Sequence, residues 1–168
     1  MCRLGIGRTY QICQPFSKLT VLENTIVGAF LHTGNTKLAE KEAEGILELV
    51  GLEKLKDMEG GDLSLPQLKR MEVARALATK PKILLLDEVM AGLNPTECQR
   101  FMQLVRVIRD TGISIIIIEH VMRAIMNLSN RIYVLNQGYL IAEGTPEETS
   151  KNPEVIKSYL GESRHARH

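Results

Sequence analysis

Two adjacent carboxylates, Asp87 and Glu88, follow directly on the aliphatic run Ile83-Leu84-Leu85-Leu86. If that run is a β-strand, the first carboxylate stands at the crevice beyond the strand end and can hold Mg²⁺, directly or through water. The second can orient an attacking water. The bland reading is a strand that runs out into an acidic loop. A second aliphatic run, Ile113 to Ile118, ends in Glu119-His120. A lone histidine is more often a solvated or core residue than a catalytic one. At the end of a parallel strand, in the same crevice as Glu88, His120 becomes a candidate to contact a reacting phosphate.

Those residues need strands and helices to place them. Continuous apolar runs bounded by breakers predict strands buried on both faces of a parallel sheet, over Ile83–Leu86 and Ile113–Ile118. Helices are predicted around them. Thr20 with Glu23 has the capping-box spacing, and Leu22, Ile26, Val27 and Phe30 share one helical face behind it. Gly34-Asn35-Thr36 breaks that helix. Lys37 to Val50 carries the stripe Ala39, Ala43, Ile46, Leu47 and Val50, and Gly51 ends it. Ser64, with Gln67 in the capping-box position, opens a helix over Leu65–Thr79. Asn94-Pro95 opens another, with Phe101, Leu104, Val105 and Ile108 on its inner face. A helix follows over Val121–Leu128. Strands at Arg131–Leu135 and Tyr139–Ala142 flank the turn Asn136-Gln137-Gly138. Pro146 and Pro153 each start a short terminal helix. The alternation of strand and helix predicts an α/β fold with a mainly parallel sheet, whose ligands bind beyond the strand C-termini.

Composition excludes several classes. The chain has 168 residues, about one domain by length and at most two small ones. Lys plus Arg is 21 and Asp plus Glu is 20, so no global basic field draws a nucleic acid; aromatics are 4% and Trp is absent, which removes stacking platforms. No nucleic-acid partner is expected. No apolar run approaches the roughly 18 residues of a membrane span. Cys2, Cys13 and Cys98 form no CxxC pair, which argues against a disulfide framework or a zinc site and fits a reducing cytosol. The end Arg164-His165-Ala166-Arg167-His168 reads as a frayed basic tail.

The order of Arg8-Thr9-Tyr10-Gln11, Leu63-Ser64-Leu65-Pro66-Gln67, Ala74-Arg75-Ala76-Leu77, Ile83 to Glu88, Ala91-Gly92-Leu93-Asn94-Pro95 and Ile117-Ile118-Glu119-His120 resembles the nucleotide-binding domain of ATP-binding cassette (ABC) transporters. The resemblance covers essentially the whole chain. It is nearest to the ATPase subunits of branched-chain amino acid importers, through Gly5 to Gln11, Leu19 to Asn24, the Ala-Gly-Leu-Asn-Pro turn, and Ile141 to Glu148 with Asn152 to Ile156. It implies a partial P-loop NTPase fold with an α-helical subdomain. The implied divisions are residues 12–79 for the helical subdomain and signature helix, 80–145 for the catalytic core, and 146–168 for the terminal helices and tail.

The same resemblance implies the roles. Gln11 resembles the Q-loop glutamine, which senses Mg²⁺ and the γ-phosphate. Ser64 and Gln67 resemble the signature motif, whose helix N-terminus faces ATP held by a partner subunit. Asp87 resembles the Walker B aspartate and metal ligand, Glu88 the general base, and His120 the switch histidine. Asn94 stands where the D-loop often carries Asp. ATP and Mg²⁺ are the implied cofactors. The implied partners are transmembrane permease subunits and a second ATPase subunit, at the cytoplasmic face of the cell membrane.

Two departures qualify this. Leu65 and Pro66 replace the two signature glycines, and proline removes an N–H donor. The P-loop pattern G-x-x-x-x-G-K-[ST] is not found: none of the 13 glycines precedes a lysine. Gly5-x-Gly7 is no substitute, since no strand is expected before it. In the family the P-loop precedes the Q-loop, so the expectation is a truncated ATPase subunit. The alternative is a non-catalytic remnant or interaction module that docks on a membrane subunit or partner ATPase.

Overall fold

The computed structural model describes residues 1–11 and 13–160. Ile12 and the basic tail at 164–168 lie outside the described residues. The chain divides into two units, split between His120 and Val121.

The first unit joins a parallel sheet to a helical layer. Its strands are β1 (Ile6–Arg8), β2 (Ile83–Asp87) and β3 (Ser114–Ile118), in the order β1-β2-β3. All pairs are parallel: Ile6, Gly7 and Arg8 stand beside Ile83, Leu84 and Leu85, and Asp87 stands beside Ile118. That register brings the C-terminal ends of β2 and β3 level, which sets Glu88 beside the Glu119-His120 segment.

β1 is a correction to the sequence reading, which placed no strand there. Three residues are too short to show a period, and only pairing with β2 makes them a strand. The two predicted strands are real, but neither is buried on both faces. In β2 Leu84 and Leu86 are fully buried, while Ile83, Leu85 and Asp87 are half-buried. In β3 Ile116 is 56% and Ile118 61% exposed. β3 is an edge strand among the described residues, so its β-branched run fits a pleated surface without demanding a cover on each side.

The helices of this unit are α1 (Val21–Ala29), α2 (Thr36–Val50), α3 (Leu65–Leu77) and α4 (Pro95–Asp110). Local chemistry sets their ends. Thr20 accepts from the Glu23 N–H while Glu23 accepts from the Thr20 N–H. Asn35 caps α2, and Gly51 closes it at φ 71°, a conformation open to glycine. Asn94 and Glu97 form the same reciprocal box on α4. The predicted stripe of α2 is buried at Ala39, Ala43, Leu47 and Val50, as is that of α4 at Phe101, Leu104, Val105 and Ile108.

The inner face of α1 differs from the expectation. Val27 and Phe30 are exposed, and the buried positions are Val21, Leu22, Asn24, Thr25, Gly28 and Ala29. Small residues win because α1 approaches α3 closely at Gly28, where an added Cβ would strike the Arg75 carbonyl and lie 2.8 Å from the Ala78 Cβ. Asn24 is polar yet wholly buried. Its amide binds the carbonyls of Phe16, Leu19 and Thr20 and accepts from the Phe16 N–H, so it fixes the incoming loop.

The second unit begins at Val121. It contains α5 (Met122–Leu128), the antiparallel hairpin β4 (Ile132–Asn136) with β5 (Tyr139–Gly144), α6 (Pro146–Lys151) and α7 (Pro153–Val155), continued by a π turn over Ile156–Leu160. The hairpin turn puts Gln137 at φ 49° and Gly138 at φ 84°, the two left-handed residues that match strand twist. Among the described residues, no helix is long and apolar enough to cross a membrane.

Candidate functional site

β2 delivers Asp87 and Glu88 to the sheet end, as its aliphatic run requires. The Glu88 carboxylate is the centre of a cluster. The Gln11 side-chain amide donates to Glu88 Oε2 at 2.6 Å, and His120 Nδ1 lies 3.9 Å from Glu88 Oε1. Three residues taken from three distant stretches of sequence thus meet at one point. Glu88 itself is at φ +46°, the left-handed region. For a residue with a Cβ that conformation costs about 1–2 kcal/mol, so surrounding contacts must enforce it.

Asp87 stands beside this cluster with a different partner. Arg8 Nη2 lies 3.0 Å from Asp87 Oδ2, and the Asp87 N–H donates to Thr9 Oγ1 at 3.2 Å. The Arg8 guanidinium also lies 5.5 Å from the centre of the Tyr10 ring. The short strand β1 therefore does more than extend the sheet: it carries Arg8, and Thr9 just after it, alongside the end of β2.

The remaining candidates stand outside the Glu88 cluster among the described residues. Ser64 opens α3, and its N–H and hydroxyl both donate to Gln67 Oε1 at 2.8 Å. Asn94 is engaged with Glu97 at the start of α4. Gly92, at φ 79°, brings its turn against Leu65, whose Cδ2 would lie 2.9 Å from an added Cβ.

Four residues that sequence reasoning gave no site role contribute here. Arg8 and Thr9 hold Asp87. Lys69 is 3% exposed on α3 and donates to the Glu88 carbonyl at 3.0 Å. Glu119 Oε1 accepts from the Met90 N–H at 2.8 Å, and burial pushes its carboxyl up from the ordinary carboxylate range. Glu119 carried a signal, as an ionisable residue at a strand end. Lys69 also carried one: a lysine between Leu68 and Met71 on a helix whose neighbours pack inward.

A second polar group fastens the segment after Gln11 to α3. Glu72 is 3% exposed, and burial raises its carboxyl. It accepts from the Cys13 thiol at 3.3 Å, while Arg75 donates to the Gln14 carbonyl at 3.1 Å. Burial, then the negative charge of Glu72, pushes the Cys13 thiol up to about 11. From an ordinary value of 9.0, that rise leaves roughly 100-fold less thiolate at pH 8, and the thiolate is the reactive form. Iodoacetamide at pH 8 should therefore label exposed Cys2 well before Cys13. Mass spectrometry of tryptic peptides over time checks this, and equal labelling rates would contradict the burial assigned to Cys13.

Comparison with known proteins shows the family. The ABC transporter family matches residues 2–91, and the branched-chain amino acid ATP-binding cassette transporter family matches residues 140–165. The chain is 39% identical to the high-affinity branched-chain amino acid transport ATP-binding protein LivG of Salmonella typhimurium, over 97% of this chain and 70% of that protein. It is 37% identical to BraF of Pseudomonas aeruginosa, a protein of the same description, with the same coverage. Among solved structures it is similar to an ATP-binding cassette of an ABC transporter in its ADP conformation, with TM-score 0.82, 32% identity, and coverage of 95% of this chain and 70% of that one. It is also similar to cbiO1 from Clostridium perfringens, with TM-score 0.81, 31% identity, and coverage of 97% and 67%. With a sheet that ends in an Asp-Glu pair, a helical layer beside it, and relatives alike over nearly its whole length, the chain belongs to the ABC transporter family of ATP-binding proteins.

Proposed function

We propose that this chain is the ATP-binding part of an importer for branched-chain or related amino acids. It works in a pair of ATPase subunits on membrane permease subunits, at the cytoplasmic face of the membrane. The observation that carries the catalytic reading is the convergence of Gln11, Glu88 and His120 at the sheet end. The substrate class rests on the family match at residues 140–165 and on the names of the relatives.

Glu88 accepts a proton from the attacking water as general base. His120, across from it, presents an imidazole toward the developing charge on the phosphate. Gln11 ties the base to the segment that leads into the helical layer. Ser64 and Gln67 mark the α3 N-terminus, where the helix dipole suits an anion presented by a partner subunit, although Pro66 leaves one N–H donor fewer there. Asn94 ends the turn that leads into α4, and Gly92 of that turn packs on Leu65 at the start of α3.

Asp87 and Gln11 offer oxygen donors, the chemistry that Mg²⁺ selects. Among the described residues no group of three or more His, Cys, Asp or Glu could hold a metal by itself. The residues fit Mg²⁺ that arrives on nucleotide phosphates, bound through one or two protein oxygens. Mg²⁺ so bound would neutralise charge on the phosphate oxygens. For Asp87 to serve it, Arg8 must release the carboxylate.

The partner surface follows the segment after Gln11. The sequence offers Cys13, Pro15, Phe16 and Leu19 there as apolar candidates. Leu19 is half-buried, whereas the Phe16 ring is 49% exposed under the Arg75 guanidinium, and Asn24 holds its backbone. A fixed loop that presents an exposed aromatic suits an amphipathic helix from a permease. Phe16→Ala, placed in the chain joined to a P-loop segment of a family member, should lower transport per ATP hydrolysed in reconstituted vesicles several-fold. Unchanged transport per ATP would remove Phe16 from the interface.

A further inference from the structure

A buried lysine is costly unless it is paired, because an ammonium leaves its hydration behind. Lys69 is 3% exposed among the packed residues Met71, Val73 and Ala74 of its own helix. No carboxylate approaches within 4 Å of it among the described residues, but the buried carboxylates of Glu72 and Glu119 lie near enough to act on its charge. Its one hydrogen bond there goes to the backbone carbonyl of Glu88, at 3.0 Å. An apolar side chain would fill the position more cheaply. The ammonium balances those two carboxylates, and it directs its one hydrogen bond among the described residues at a single backbone carbonyl.

The residue it grips is the strained one. Glu88 has φ +46° with a full side chain. Its N–H donates to the Ile118 carbonyl at 2.9 Å, and its carbonyl accepts from Lys69 and, at 3.2 Å, from the Ala91 N–H. Two residues further on, the Met90 N–H donates to Glu119 Oε1 at 2.8 Å, while Glu119 Oε2 is buried without a hydrogen-bond partner. Strand β3, its trailing Glu119 and helix α3 thus hold the turn after β2 from three directions. Relaxation of φ to a negative value would swing the Glu88 Cβ and draw the carboxylate from Gln11 and His120.

We propose that Lys69 is a positioning residue that holds Glu88 in its left-handed conformation, with Glu119 bracing the same turn at Met90. The kinetic consequence rests on the proposed function; the conformational claim does not. Through Lys69, helix α3 is tied to the base itself, so the helix that begins at Ser64 and the Glu88 carboxylate move as one piece.

The test separates the two. Lys69→Met keeps the length and removes the donor. The Glu88 carbonyl still accepts from Ala91, so no backbone group is orphaned and the variant should fold. In the isotope-labelled 168-residue chain, the Glu88 HN–Hα coupling constant and the strong intraresidue HN–Hα NOE report a positive φ without any nucleotide. Wild type and Lys69→Arg, which retains an N–H donor, should show that signature, and Lys69→Met should lose it with an unchanged thermal melt. In the chain joined to a P-loop segment, Lys69→Met should lower kcat by roughly 10- to 100-fold at unchanged KM for ATP, since misplacement by about 1 Å can cost 100-fold; Lys69→Arg should restore most of it. A wild-type signature in Lys69→Met would overturn the proposal, as would a lost signature that comes with a collapsed melt and no rescue by arginine. An inactive wild-type fusion would count against the proposed function and leaves the NMR result to decide this one.

Discussion

The 168 residues by themselves should release no phosphate from ATP above the buffer rate. Joined behind a P-loop segment from a family member, the same residues should hydrolyse ATP, and Glu88→Gln should then remove at least about 100-fold of that rate, the lower range for loss of a general base. The reason is a division of labour. Glu88, Gln11 and His120 are gathered at the end of the sheet and can act on a water. Fixing the β- and γ-phosphates takes a cradle of backbone N–H groups and a lysine, and no such pattern occurs in these residues. Without anchored phosphates, Asp87 has no nucleotide-borne ion to complete, and Arg8 keeps its carboxylate. A phosphate-release assay on both forms checks this. Turnover by the 168-residue chain that Glu88→Gln abolishes would sink it.

Gly28→Ala should lower the melting temperature by about 4–8 °C, while Gly45→Ala should raise it. Both glycines sit inside helices, where alanine is worth about 1 kcal/mol more than glycine. What differs is the space around them. A Cβ on Gly45 meets nothing within 4 Å, so the propensity gain stands alone. A Cβ on Gly28 collides with the Arg75 carbonyl and presses to 2.8 Å from the Ala78 Cβ. Both obstacles belong to α3 and its C-terminal cap; one is a backbone carbonyl and the other a Cβ fixed to the backbone, so neither can rotate away. Overpacking of this kind costs up to about 3 kcal/mol, which leaves a net loss of about 2 kcal/mol after the propensity gain. In a chain of this size each kcal/mol moves the midpoint by about 2–4 °C. Differential scanning calorimetry of the two variants reads the opposite signs directly. An unchanged midpoint in Gly28→Ala would show that α1 can slide away from α3.

The helices were legible in the sequence because their signals are local. Thr20 with Glu23, Asn35, Gly51, Ser64 with Gln67, and Asn94 with Pro95 each act within one turn, and the structure sets α1 to α4 between them. The aliphatic runs before Asp87 and Glu119 likewise announced two strands, and their alternation with helices announced the α/β class. The candidates Asp87, Glu88 and His120 were visible for the same reason, as polar residues where apolar runs stop.

What the sequence left open was everything decided by partners far along the chain. Ile6–Arg8 became a strand only because β2 offered an edge, and that pairing set Arg8 against Asp87 from 79 positions away. The inner face of α1 turned on the nearness of α3, which no helical period contains. The exposure of Ile116 and Ile118 depended on which face of β3 had a neighbour. Lys69 stands in the sequence among residues that pack inward, but only the fold buried it and set it on the Glu88 carbonyl. Caps and periods are written in a few consecutive residues, whereas a buried charge and a strained φ are held by contacts that exist only once the chain has folded.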